Sequence, residues 1–440
     1  MAAINIDKTC SMLPISTLDC QGLSSLLTDC DINEILERKF GGNFRLVDWR
    51  LESLDKTKGF LGQYYHLHIL AQIDGKTQSL RLFAKTPPPT HSPQFEFLQR
   101  YDTFNKEITV YTDLVRRMGV GGSPKWMVEY YFCKRNVIIV LEDASIDGYA
   151  TPNKYVPFDE EHCVWLLRTL SRLHSRSLIL DERLRREDGR TIFDLYGRLL
   201  NEVLFVEGDD RSERALASSI TGLCAMIDFM EELDDKEKVI VKRRFIEWSR
   251  KISRLLAPSK EHRNVLCHRD IWANNIMFRH DLAGNTNGCY IIDWQFLCYC
   301  PPAIDFTFCL YLNTNRSTRD RHFDVFAKIY HDSLARELAE EGFDIENCLS
   351  WMAFQKSYAE ARNIALIYAA LNLQVMLLAS ETTAKYFCTA TDKLEQVLYG
   401  DERAELVYYQ CEKMPAYKTR IFEILCEIKD RLPDHLPSHV

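Results

Sequence analysis

"NVLCHRDIWANNIMFRHDLAGNTNGCYIIDWQ", residues 264–295, decides the fold. It places two His, three Asp and several Asn around two apolar runs, "NIMF" and "CYIID". The segment between the runs, "RHDLAGNTNG", is dense in turn formers. Paired as an antiparallel hairpin, the runs bring Asn275, at the start of the first, near Asp293, at the end of the second. An Asn and an Asp oxygen with no soft donor suit Mg²⁺, which shares its other positions with substrate phosphates. Asp270 lies five residues before Asn275, on the loop that leads into the hairpin. A carboxylate there can accept the proton of an attacking hydroxyl. His268, two residues earlier, joins it as a candidate catalytic-loop residue, in a role that braces the loop by hydrogen bonds.

The spacing H-x-D-x-x-x-x-N, followed by an Asp, is shared by protein kinases and small-molecule kinases. Such a site needs a Lys on a small-lobe strand to hold nucleotide phosphates and a helix Glu to position it. "LRLFAK" ends in Lys85, and "FNKEITVY" carries Glu107. Gly59 and Gly62, in "DKTKGFLGQYYHL", are spaced G-x-x-G and not G-x-G-x-x-G. They either let backbone N–H groups approach phosphate or make a hairpin turn. Leu141, Glu142 and Asp143, in "VLED", sit where two lobes would join; their backbone either meets an adenine edge or is an ordinary strand end. Asp305, in "PPAIDF", either braces the catalytic loop or caps a helix.

Working outward, residues 1–43 read as a leader with a short helix in "LLTDCDINEILERKF". Residues 44–143 read as a small nucleotide-binding lobe. "FRLVDWRLESL", "GQYYHLHILAQI" and "SLRLFAKT" have strand character, with a hairpin signal at "DGK". One helix is expected over "FEFLQRYDTFNKEITVYTDLVRRMG", then two strands in "WMVEYYFC" and "NVIIVLED". Residues 144–440 read as a helical lobe that holds the catalytic loop, 264–295, and the acceptor site. The expected fold class is α+β and two-lobed, a small sheet-rich lobe before a large helical one.

The net charge of −8 argues against a broad nucleic-acid footprint but not against a phosphate ligand, which one Lys and Mg²⁺ can hold. The longest apolar stretch, Ile364 to Ala379, is shorter than a membrane span and contains Asn372 and Gln374, so it reads as a buried helix. The N-terminus lacks a basic start followed by an apolar run, so no signal peptide is expected. An odd number of cysteines, 15, with no export signal reads as reduced thiols and a cytoplasmic protein. Cys298 and Cys300 lack the spacing of a zinc site.

"VLCHRDIWANNIMF", "YIIDWQ" and "CPPAIDF" closely resemble the ecdysteroid kinase-like family, also called choline-kinase-like (CHK) and abundant in insects. "LFAKTPPP", "FNKEITVY" and "VLEDASIDGY" resemble its Lys strand, helix Glu and inter-lobe segment; "GFLGQYYHL" resembles the loop of one insect branch. The resemblance implies a protein-kinase-like fold in the small-molecule branch, alongside aminoglycoside phosphotransferases and choline kinases. It implies ATP, Mg²⁺ and transfer of the γ-phosphoryl group to an alcohol, with ecdysteroids as the family's named substrates. Many members carry Gly where this chain has Arg269, which makes "HRD" as in protein kinases. A protein acceptor does not fit, because neither D-F-G nor A-P-E follows "IID".

The reading is therefore an ATP- and Mg²⁺-dependent small-molecule kinase. Asp270 orients and deprotonates the hydroxyl, Asn275 and Asp293 hold Mg²⁺, and Lys85 grips phosphates from a place fixed by Glu107. Two alternatives stand beside it. One is a kinase for a cationic alcohol, which needs an acidic or aromatic acceptor pocket. The other is an inactive nucleotide-binding scaffold, whose signature would be loss of Lys85, Asp270 or Asp293.

Overall fold

The computed structural model describes residues 26–54, 61–90, 92–119, 125–388 and 391–434. The alternating segments form one antiparallel sheet: β1 (Phe44–Ser53), β2 (Gln63–Ile73), β3 (Lys76–Thr86), β4 (Tyr130–Lys134) and β5 (Ile138–Glu142), in the order β1-β2-β3-β5-β4. The β2–β3 hairpin turns on Asp74 and Gly75, at φ 49° and 76°. Two successive left-handed residues match the right-handed twist of the strands they join. Tyr65, Leu67, Ile69, Ala71 and Ile73 alternate onto the buried face of β2.

That face is covered by helix α1 (Asp29–Phe40), which buries Ile32, Ile35 and Leu36 against it. Their i, i+3, i+4 spacing makes one apolar stripe. Thr28 and Asp31 close a capping box at its start, and the Trp49 indole donates to Asp29 across 2.8 Å. The short helix read as part of a leader is thus packed into the core of the sheet lobe.

The single helix expected after β3 is broken. Helix α2 (Pro93–Tyr101) ends at Asp102, which is left-handed at φ 50°, and α3 (Thr103–Thr109) starts in a new direction before a π turn at Val110–Leu114. The Asn105 side chain donates to Asp102 Oδ1 across 2.6 Å and fixes the bend. Apolar periodicity continues across one left-handed residue, so the pattern alone does not reveal it. The break lets Phe97 and Tyr101 line one cavity wall while Glu107 reaches Lys85.

The remainder is built on α4 (Glu160–Asp188), α5 (Asp210–Phe229), α6 (Pro302–Asn313), α7 (Arg316–Glu340) and α8 (Trp351–Met376). The apolar stretch from Ile364 lies in α8 and just beyond it, with Leu366, Ile367, Tyr368 and Ala369 fully buried. Among the described residues no single helix is long and apolar enough to cross a membrane. Two strand pairs interrupt the helices. Strand β6 (Val265–Cys267) pairs with β9 (Cys298–Cys300), and β7 (Ile276–His280) with β8 (Thr286–Ile291). The hairpin strands run into the segment read as loop and leave only residues 281–285 as the turn. Ile276 faces Ile291, and the Ile292 N–H donates to the Asn275 carbonyl across 2.9 Å. Asn275 and Asp293 therefore stand at the same end of the hairpin.

The sheet lobe is attached to this hairpin. The Tyr149 ring stacks on Tyr290 with centroids 4.0 Å apart, and Ala150 bridges to Phe278. Replacing Ile35 by Ala should lower the unfolding free energy by about 2–5 kcal/mol, read by urea denaturation of the whole chain. A change below about 0.5 kcal/mol would show that α1 does not share the sheet's core.

Candidate active site

The loop ahead of the hairpin is held from beneath. Asp305, fully buried on the first turn of α6, accepts the His268 N–H at 2.5 Å on Oδ2 and the Arg269 N–H at 2.9 Å on Oδ1. Pro301, not Asp305, is the helix cap. His174 stands 3.4 Å behind Asp305 Oδ2, with its other ring nitrogen 2.6 Å from the Tyr330 hydroxyl. These charge-assisted bonds hold Arg269 at φ 72°. A non-glycine residue is strained there by roughly 1–3 kcal/mol, which is the physical reason Gly suits this place.

His268 bridges loop and hairpin. Its Nε2 lies 3.0 Å from the Ile292 carbonyl, and its Nδ1 accepts the Asp270 N–H at 3.3 Å. Burial keeps the imidazole pKa below its ordinary value, so the ring is neutral and Nε2 carries the proton. Both nitrogens are committed to backbone groups. His268 positions the loop and offers no free atom for proton transfer, which separates it from Asp270.

Asn275 Nδ2 donates to Asp270 twice, to the carbonyl at 2.9 Å and to Oδ2 at 2.7 Å. Its amide oxygen remains as a hard ligand atom. Burial, and then the Asp293 charge, push the Asp270 carboxyl up to about 7, against the hydrogen bonds from Asn275 and Trp272. Asp293 is itself left-handed, at φ 68°. Its Oδ1 accepts from Lys85 Nζ at 3.0 Å, and the same ammonium donates to Glu107 Oε2 at 2.7 Å. Burial alone would depress the lysine; Asp293 and Glu107 outweigh it and raise Lys85 above its ordinary range.

Gly62 lies over this ammonium. A Cβ there would meet the Thr86 carbonyl at 3.2 Å and Lys85 Cε at 3.3 Å, so close approach to Lys85 explains the glycine. Gly59 lies outside the described residues. Leu141 and Glu142 line the cavity between the lobes. The Glu142 N–H donates to the Glu129 carbonyl at 2.8 Å, and its carboxylate accepts the Glu129 N–H at 2.9 Å. That amide is thus unavailable to an adenine edge, because the edge of β5 is already paired. The Asp143 side chain caps the turn at Ala144–Asp147 through Ser145 and binds Arg81 Nε at 2.6 Å, so it fixes the bend between the lobes.

Lys85, Glu107, Asp270, Asn275 and Asp293 therefore converge on one cavity of about 1020 Å³. Sequence reasoning missed the residues that support them. His174 behind Asp305, Glu202 on the Arg269 guanidinium and Lys106 on the Leu297 carbonyl have partners far away in sequence. Each reads locally as an ordinary polar residue of a helix or loop.

The five-stranded sheet, the buried Lys–Glu pair and the braced loop before a short hairpin make a two-lobed α+β fold with these polar side chains gathered in the cavity between the lobes. A family model described as the ecdysteroid kinase-like family matches residues 56–343, more than half of the chain, and the chain belongs to that family. Among solved structures it is similar to a microcompartment-associated aminopropanol kinase, at 11% identity and TM-score 0.37, over 92% of this chain and 100% of that one. The GDP complex of wild-type aminoglycoside 2′-phosphotransferase-IIIa aligns at 11% identity and TM-score 0.36, over 92% and 99%. Choline kinase LicA from Streptococcus pneumoniae aligns at 14% and 0.31, over 76% and 98%. A search of curated proteins found no match.

Asp305→Asn would turn one acceptor of a backbone N–H into a donor facing it. The expected loss is about 1–3 kcal/mol in a denaturant melt. Unchanged stability would remove Asp305 as the support of the loop.

Proposed function

We propose that the chain is an ATP- and Mg²⁺-dependent kinase that phosphorylates a hydroxyl of a lipophilic alcohol, an ecdysteroid or a related compound. The observation that carries this reading is the composition of the cavity that Asp270 lines. It holds Lys85, Glu107 and Asp293, a set suited to a metal-bound polyphosphate. The same cavity is lined by Phe97, Tyr101, Phe205, Trp272, Leu371 and Val375. Among the described residues, the helical-lobe wall supplies the cations Lys154, Arg211 and Arg403 and no carboxylate besides Asp270 and Asp293. The Lys154 ammonium donates to the Leu378 carbonyl at 2.7 Å, and burial pulls its pKa down to about 8. The aromatic rings would suit a quaternary cation as well as an apolar body. Arg211 is paired with Glu96, but Lys154 and Arg403 leave a choline-like or aminoglycoside-like cation facing positive charge with no spare acid on this wall, which favours the apolar alcohol.

In this reading Asn275 and Asp293 offer hard oxygen ligands to Mg²⁺, and Lys85 offers its ammonium to the nucleotide phosphates. The metal, when bound, neutralises charge on those phosphates. Asp270 Oδ2 is held by Asn275, facing the cavity, where it orients the acceptor hydroxyl and takes its proton. With a cation on Asp293, the repulsion that helps to raise Asp270 falls, and the carboxylate is favoured as the proton acceptor. Glu107 keeps Lys85 in place, and closure around an apolar body keeps water from the hydroxyl's position.

The test is transfer of labelled phosphate from ATP to ecdysteroids, other sterols, choline, ethanolamine and aminoglycosides by the purified chain with Mg²⁺. Labelling of a steroid hydroxyl, abolished by Asp293→Ala, is the expected result; labelling of the cationic alcohols alone would overturn the substrate class. Asp270→Asn should lower transfer by about 10²–10⁴-fold and leave ATP binding in place. Full turnover in that variant would remove Asp270 from the chemistry.

A further inference from the structure

Arg269 does not reach the cavity's nucleotide side. Its guanidinium is buried against the stacked rings of Phe308 and Tyr368, 5.0 and 5.2 Å from centroids that are 4.0 Å apart. Among the described residues its one ionic partner is Glu202, with Nη2 and Oε2 2.5 Å apart, and Nε and Nη1 have no hydrogen-bond partner. Tyr368, which lines the cavity, also donates its hydroxyl to the Arg269 carbonyl at 3.2 Å.

Glu202 has a second set of contacts. Its Oε1 accepts the N–H groups of Val203 at 3.0 Å, Leu204 at 2.8 Å and Phe205 at 3.4 Å. Residues 202–205 belong to no helix or strand. One carboxylate therefore ties three amides of an irregular segment to the catalytic loop. Leu204 and Phe205 form part of the apolar cavity wall, and the Phe205 ring packs edge-on to Tyr368 with centroids 6.1 Å apart. Lys106, next to Glu107 on α3, donates to the carbonyl of Asn201 at 3.3 Å and of Leu297 at 3.1 Å. The same short segment thus meets the helix that positions Lys85 and the loop that carries Asp270.

We propose that Glu202 is the positioning residue for the acceptor: paired with Arg269, it fastens the Leu204–Phe205 wall to the loop that carries Asp270, so that the alcohol meets that carboxylate in place of water. The proposal rests on the kinase reading above. It also gives "HRD" in this chain a role of its own. The guanidinium faces inward to an acceptor wall and serves as a strut, while Asp305 holds its left-handed backbone.

A merely structural ion pair would weaken every activity together. A strut for the acceptor changes how phosphoryl groups are shared between alcohol and water. The experiment follows ATP consumed and alcohol phosphorylated in the same reaction, with ecdysone as the probe or the panel alcohol that turns over in its place. Glu202→Gln retains an oxygen for the three amides and removes the charge. Because this leaves a guanidinium buried and unpaired, the companion variant is Glu202→Gln with Arg269→Gly, which removes both charges and suits φ 72°.

In both variants phosphorylated alcohol should fall by about 10- to 100-fold, the effect of a displaced reactant. The KM for ATP should move by less than about twofold, and the share of ATP lost to water should rise. The double variant should be no worse than the single one, as expected for a pair. Parallel loss of transfer and hydrolysis, or a wild-type partition in the double variant, would overturn the proposal. Wild-type chain that phosphorylates no alcohol overturns the kinase reading itself, and that outcome is visible before any variant is made.

Discussion

The Lys85 ammonium is the contact on which the two lobes depend. It is 3% exposed, and a lone lysine so buried would shed its proton. Here it stays charged because two carboxylates reach it, Glu107 from α3 of the sheet lobe and Asp293 from the hairpin of the helical lobe. Removing either partner of such a buried pair costs several kcal/mol, because the charge left behind is unpaired. The sheet, the broken helix and the hairpin must therefore agree in position. In the proposed function Asp293 serves twice. It balances Lys85 in the nucleotide-free chain and offers its oxygens to the metal when phosphates bring a new partner for the lysine.

A second constraint is backbone strain at the site. Arg269 and Asp293 both occupy left-handed backbone without being glycine. Residues persist there only when their surroundings over-determine them. Asp305 does this for Arg269 by accepting two successive N–H groups, and His268 ties the same loop to the residue before Asp293. The catalytic-loop carboxylate is thereby carried by backbone that has little freedom. The wall opposite it is different in kind, an irregular segment secured by side chains. In the proposed function the reacting carboxylate is thus fixed by backbone, while the Leu204–Phe205 wall is attached through the Glu202–Arg269 ion pair.

Much of this was legible in the sequence, and the limits have physical causes. The hairpin was readable because two apolar runs flank a dense cluster of turn formers, and that pairing sets Asn275 beside Asp293. Lys85 and Glu107 were readable because a strand end and the next helix place them in order. The break at Asp102 was not, since one left-handed residue leaves the apolar periodicity intact. The β6–β9 pair was not, because strands of three residues show no period. Helix α1 looked like a leader because its apolar stripe of Ile32, Ile35 and Leu36 is short, and only the sheet shows what it covers. Glu202, His174 and Lys106 carry no local sign of their roles; their partners lie 67, 131 and 95 residues away in sequence.

The central claim is that Lys85 and Asp293 together form a metal-dependent nucleotide site. Calorimetric titration of the purified chain with ATP, with and without Mg²⁺, tests it most directly. The account predicts heat of binding that requires Mg²⁺ and is lost in both Lys85→Met and Asp293→Ala. ATP binding that is indifferent to Mg²⁺, or that survives in both variants, would contradict it.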